Sequence, residues 1–156
     1  MTPAQQAKKL LEELELIGTA SIPLQKVIDH LNYKAQLFPA SDKTRGVACG
    51  INRDAKIVLA NSVDPAVEQR YAFAHAIGHI VLHEGGNVID RYNNLSPKNE
   101  EPEEWEANLF ADELLMEGNL FLQKWDELNG DISRIANVYG LGKERVQNRA
   151  KKLEIV

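Results

Sequence analysis

Residues 70–83 read RYAFAHAIGHIVLH, Arg70 to His83, and hold three of the four histidines in the chain, His75, His79 and His83. Asp64 and Pro65 mark a helix start upstream, and the Gly85-Gly86 pair closes it, so the pattern predicts one long helix from Asp64 to about His83. His75 and His79 are four residues apart. On a helix such residues project from one face with Cβ atoms about 5–6 Å apart, which lets two imidazoles converge on one divalent ion. The pair also reads as a polar face with two incidental histidines, and the spacing alone leaves both open. His83 lies two turns beyond His75, about 11–12 Å along the axis, too far to share an ion with it. No glycine between His79 and His83 breaks the helix to swing a third imidazole in. His83 is therefore expected in a structural or supporting role.

A second segment, EPEEWEANLFADELLM (101–116), follows with helical character from Glu103 to about Met116, ended by Gly118. Here Glu106 falls in line with Phe110 and Leu114 at i, i+4 and i+8, on the stripe expected to face the core. A carboxylate buried there needs a cation or strong hydrogen bonds. A metal held by His75 and His79 meets that need. Two histidines and one glutamate leave a fourth position open to water, the arrangement of catalytic rather than structural zinc. Zinc suits these donors best, and manganese or iron also accept imidazole and carboxylate.

The surrounding chain predicts an α+β fold. Leu10, Leu11, Leu14 and Ile17 have helical spacing within 3–17, and a second helix follows Ser21 and Pro23 through Leu24, Val27, Ile28 and Leu31, with His30 as a lone, structural or solvated histidine. GVACGIN (46–52) and KIVLAN (56–61) form a β-hairpin, and YKAQLF (33–38) completes a small three-stranded sheet whose segment 57–61 is a candidate edge for strand addition. Residues 85–102 are polar with two prolines and read as a long loop. Three short helices follow Gly118, punctuated by Gly130, Gly140 and Gly142. The expectation is a single domain over 1–156, with a metal core at about 46–118 and a helical tail at 119–156.

At 156 residues and 44% apolar, the chain can bury one substantial core. No apolar run approaches the roughly 20 residues that span a bilayer, and the charged, leucine-rich N-terminus lacks a signal-peptide core. A soluble, cytoplasmic protein is expected, consistent with a single cysteine, Cys49, read as a half-buried strand residue. The net charge of −5 argues against a general nucleic-acid surface. Residues 131–156 are an exception, with six basic and three acidic residues. Their helix, glycine and helix outline reads either as a DNA-binding motif or as a helical hairpin closing the core.

The run IVLAN (57–61), then RYAFAHAIGHIVLH, then EANLFADELLM (106–116), together resemble the core of ImmA/IrrE-family zincin metallopeptidases over residues 46–118, and IANVYGLGKERVQNRAKKL is similar to that family's helical tail. The resemblance implies His75, His79 and Glu106 as metal ligands, a zinc cofactor, and endopeptidase activity on a helix-turn-helix repressor or antitoxin. One position departs. The family carries H-E-x-x-H, in which the glutamate is the general base; here that residue is Ala76. Alanine leaves the ligands in place and removes the proton carrier, at a cost of about 10²–10⁴ in rate. Ala76 reads as a Glu-to-Ala inactivation of an active protease, or as the mark of a natural pseudoprotease that sequesters a regulatory protein without cutting it. Arg70, Tyr71 and Tyr92 lie near the motif, and the sequence assigns none of them to a substrate oxyanion.

Overall fold

The computed structural model describes residues 1–156. In chain order its elements are α1 (Pro3–Glu13), α2 (Leu24–His30), β1 (Lys34–Phe38), β2 (Val47–Asn52), β3 (Ile57–Asn61), α3 (Ala66–Leu82), β4 (Val88–Arg91), a 3-10 turn (Tyr92–Leu95), α4 (Pro102–Leu115), α5 (Gly118–Glu127), α6 (Ile132–Tyr139) and α7 (Lys143–Lys152). This is the α+β architecture the sequence implies. A capping box starts α1: the Thr2 hydroxyl accepts from Gln5 N–H while the Gln5 side chain accepts from Thr2 N–H. The helix stops at Glu13, short of the expected residue 17, because Glu15 adopts a left-handed φ of 58°.

The sheet has four strands in the order β1-β3-β2-β4, one more than expected. β1 runs parallel to β3, and β2 is antiparallel to both β3 and β4. β4 lies inside the stretch read as a loop. With four residues, only one of them buried, it is too short to show a period-2 pattern. β3 is internal, so segment 57–61 offers no free edge; the two edges are β1 and β4. A bulge between Val47 and Cys49 shifts the β2–β4 register and sets Asp90 opposite Cys49. Asp90 thus faces inward while Ile89 stays exposed.

α3 packs on β2 and β3 with one side and on α4 with another, and α1 covers α4. The core between these layers contains Leu10, Leu11, Val58, Ile77, Phe110 and Leu114. Cys49 is fully buried, not half-buried as expected, and burial pushes its thiol pKa up, so it is an inert core group.

Three of the six basic residues of the tail turn inward, while Arg134, Lys143 and Lys151 stay exposed. Arg149 is buried, pairing with Glu113 and donating to the Met116 carbonyl; Lys152 reaches Asp112 at 2.8 Å. Arg145 donates to the Leu95 carbonyl and lies over the Tyr71 ring at 3.7 Å. Ile135, Tyr139, Val146 and Ala150 are buried on the other side, so α6 and α7 form the hairpin that closes the core. No helix is long and apolar enough to cross a membrane.

Removing Arg149 leaves the Glu113 carboxylate buried without its cation, which typically costs about 3–5 kcal/mol. Arg149→Ala should lower the denaturant midpoint accordingly, and Arg149→Met with Glu113→Leu should recover most of the loss. A single variant as stable as the parent would show that this pair does not hold the tail.

Candidate metal centre

The site begins with a backbone contact between α3 and α4. A Cβ built on Gly78 would lie 3.0 Å from the Ala107 carbonyl oxygen and 3.1 Å from its Cα, so any larger residue would press the two helix backbones apart. Ala107 and Ala111 are fully buried, and Asn108 is nearly so. Glu104 shares the face these small residues define, one turn before Ala107 and Asn108, and it is that carboxylate which reaches the histidines.

Four side chains converge there: His75 and His79 from α3, Asp90 from β4 and Glu104 from α4, all buried. The two Nε2 atoms are 3.2 Å apart. Glu104 Oε1 lies 3.3 Å from His75 Nε2 and 2.7 Å from His79 Nε2. Asp90 Oδ2 lies 3.4 Å and 3.3 Å from the same two atoms. An ion with tetrahedral bonds of about 2.0–2.1 Å needs ligand atoms about 3.3–3.4 Å apart. Four of these five separations already fit within about 0.2 Å, and the fifth is a hydrogen bond that an ion would open. Charge agrees with geometry, because two neutral imidazoles and two carboxylates carry −2, the complement of a divalent cation. These residues could therefore hold a metal of the zinc type.

Without an ion, the carboxylates hold protons on the imidazoles. Burial alone would depress the His79 pKa, but hydrogen bonds to Asp90 and Glu104 outweigh it and raise it to about 9. His75 moves in the same direction against the same burial cost. Burial would push both carboxyls up, yet their hydrogen bonds to the two histidines bring Asp90 and Glu104 below the usual carboxylate range.

A polar shell aims these groups. His75 Nδ1 lies 2.7 Å from Asn108 Oδ1, and Asn108 donates from its amide to the Asn94 carbonyl. Asn94 in turn donates to Glu104 Oε2 at 2.6 Å, leaving Oε1 for the histidines. On the other ring, His79 Nδ1 faces His83 Nδ1 at 3.0 Å, and His83 Nε2 faces Glu106 Oε1 at 3.1 Å. Arg53 fixes the end of α3 by donating to the His79 and His83 carbonyls, with its charge at the negative end of the helix. A cleft of about 310 Å³, lined in part by His79, His83, Asp90, Glu103 and Glu104, opens this side of the cluster to solvent.

Of the expected ligands, His75 and His79 are brought together and Glu106 is not. Glu106 is half-exposed and faces His83, about 200° around the helix from Glu104. The i, i+4, i+8 alignment with Phe110 and Leu114 drifts by 40° at each step, so Glu106 leaves the buried face even though both apolar residues lie on it. The face packed on α3 is marked instead by Ala107, Asn108 and Ala111. That small-residue pattern was the available signal for Glu104. Asp90 had none beyond its position in VIDR.

Ala76 is completely buried beside His75. Tyr71 donates its hydroxyl to Asp112 and lies 3.5 Å from Asn108 Oδ1, the oxygen that meets His75, while Tyr92 donates to Asp64 and Arg70 to the Ile22 carbonyl. His30 pairs loosely with Glu13 at the surface.

A mixed sheet against a helix carrying paired histidines, with a glutamate from the next helix, defines a zincin-like, metallopeptidase-like domain. The sequence profile of the IrrE N-terminal-like peptidase domain matches residues 31–151, and the chain belongs to that family. No curated protein sequence matches the chain. Among solved structures it is similar to a Mycobacterium tuberculosis transcriptional regulator, with a TM-score of 0.62 at 14% identity. That likeness, which is one of fold, covers 97% of this chain and 52% of the other, so the chain spans about half the length of the solved structure.

Two glutamates thus separate by experiment. Glu104→Gln should abolish stoichiometric zinc binding, whereas Glu106→Gln should keep about one zinc per chain with affinity about 10–100-fold weaker, as for loss of an outer hydrogen-bond partner. Metal analysis after dialysis checks both. Zinc retained in Glu104→Gln and lost in Glu106→Gln would reverse the assignment.

Proposed function

We propose that this chain is a metal-holding, hydrolytically silent IrrE-type domain that binds a regulatory protein, with His75, His79 and Glu104 as the core ligands of one zinc ion. The carrying observation is Ala76. In a zincin the metal polarises a peptide carbonyl and activates water, but a separate carboxylate must take the proton of that water and deliver it to the leaving amine. The carboxylates at the cluster, Asp90 and Glu104, both engage the two imidazoles, and a methyl group stands where the base belongs. This reading holds whether the glutamate was lost naturally or removed from an active protease.

Family resemblance makes the partner a helix-turn-helix repressor or antitoxin. The edge that supports such binding is β4, which carries Asp90 and leaves its outer side unpaired, with Ile89 72% exposed. An extended segment could add there as a further strand beside the metal.

Incubating the zinc-loaded chain with repressor-type proteins encoded beside it should give a stable complex and no fragments, and Ala76→Glu should bind the same partner. Zinc-dependent cleavage by the unaltered chain, abolished in His79→Ala, would overturn the silent reading. Failure of every such partner to bind would overturn the partner class.

A further inference from the structure

We propose that Asp90 is a fourth protein ligand, which closes the coordination sphere and converts a centre of catalytic type into a structural one. The inference rests on the metal-holding reading above and goes beyond it, because three ligands leave a position for water or a substrate carbonyl and four do not.

The geometry separates a ligand from a base. Asp90 Oδ2 lies 3.4 Å and 3.3 Å from the two Nε2 atoms, nearly the same separations that Glu104 Oε1 makes with His75 and that the two Nε2 atoms make with each other. Four of the five separations among these atoms match the edges of a tetrahedral shell, the Glu104–His79 one is shorter, and all four atoms lie within 4.8 Å of one another. A carboxylate acting as base on a metal-bound water would stand a full hydrogen bond, about 2.7 Å, beyond the water, not at ligand distance from the other donors. Charge points the same way. Asp90 is 1% exposed, so its carboxylate needs a cation, and a single divalent ion neutralises Asp90 and Glu104 together.

The fold builds this arrangement. The bulge between Val47 and Cys49 places Asp90 opposite Cys49 with its side chain inward, and the Asp90–Cys49 contact is a weak thiol bond of 3.9 Å that leaves the carboxylate free to ligate. Loss of the base and filling of the fourth position then describe one change of purpose. A metal closed in by two helices and a strand ties β4, the free sheet edge, to α3 and α4.

Cobalt(II) is the probe, since its visible spectrum reports coordination number and a thiolate ligand adds a near-ultraviolet charge-transfer band. The cobalt-loaded chain should show an intense four-coordinate spectrum that does not change with azide. Asp90→Ala should become azide-responsive and lose more than about 100-fold in zinc affinity, exceeding the effect of removing an outer-shell partner. Asp90→Cys, kept reduced, should gain the thiolate band over the parent and remain azide-silent, which reports ligation even if the alanine variant folds poorly. An azide-responsive parent, or Asp90→Cys with cobalt bound and no new band, would overturn the proposal. Those outcomes leave the silent-binding reading intact if the chain still cuts nothing, whereas cleavage by the parent would sink that reading independently of the spectra.

Discussion

Two carboxylates and two imidazoles share a largely buried pocket at the foot of a cleft, and the need to balance their charge constrains everything around them. Desolvating even one carboxylate costs several kcal/mol unless it is paired. Shared protons on the imidazoles meet that cost, and the same four atoms could instead take a divalent cation. The rest of the architecture brings the four groups from three separate elements to that point: Gly78 lets α4 close on α3, the β2 bulge turns Asp90 inward, and Asn94 and Asn108 set the orientation of Glu104 and His75.

Outside this centre, ion pairs serve attachment. Arg149, Lys152 and Arg145 bind α7 to α4 and to Tyr71, which gives half of the six basic side chains in the last 26 residues a structural role. Arg149 and Lys152 form a clasp on Glu113 and Asp112 of the same α4 that carries Glu104.

How much of this was legible in sequence depends on the length over which each signal repeats. α3 and α4 are long enough for their punctuation to fix them within one to two residues, and the His75/His79 spacing sufficed to locate the centre. Glu104 was missed because the apolar pair Phe110 and Leu114 drew the alignment to Glu106, whereas helix–helix contact at close range is written in small residues, here Gly78, Ala107 and Ala111. β4 was missed because four residues with one inward side chain carry no period, and Asp90 went with it. Glu106 still has a place: through His83 it holds the outer nitrogen of His79, so a residue read as a ligand lies two steps behind the cluster.

Family membership and Ala76 pull in opposite directions, the first toward hydrolysis and the second away from it. The proposed ligation by Asp90 would reconcile the two, since a site with its fourth position filled has no need of a base. The most direct test is zinc-edge X-ray absorption on the zinc-loaded chain. The account predicts about one zinc per chain with four nitrogen or oxygen neighbours at about 2.0–2.1 Å, two of them imidazole. A chain that retains no zinc, or a shell containing sulfur from Cys49, would contradict it.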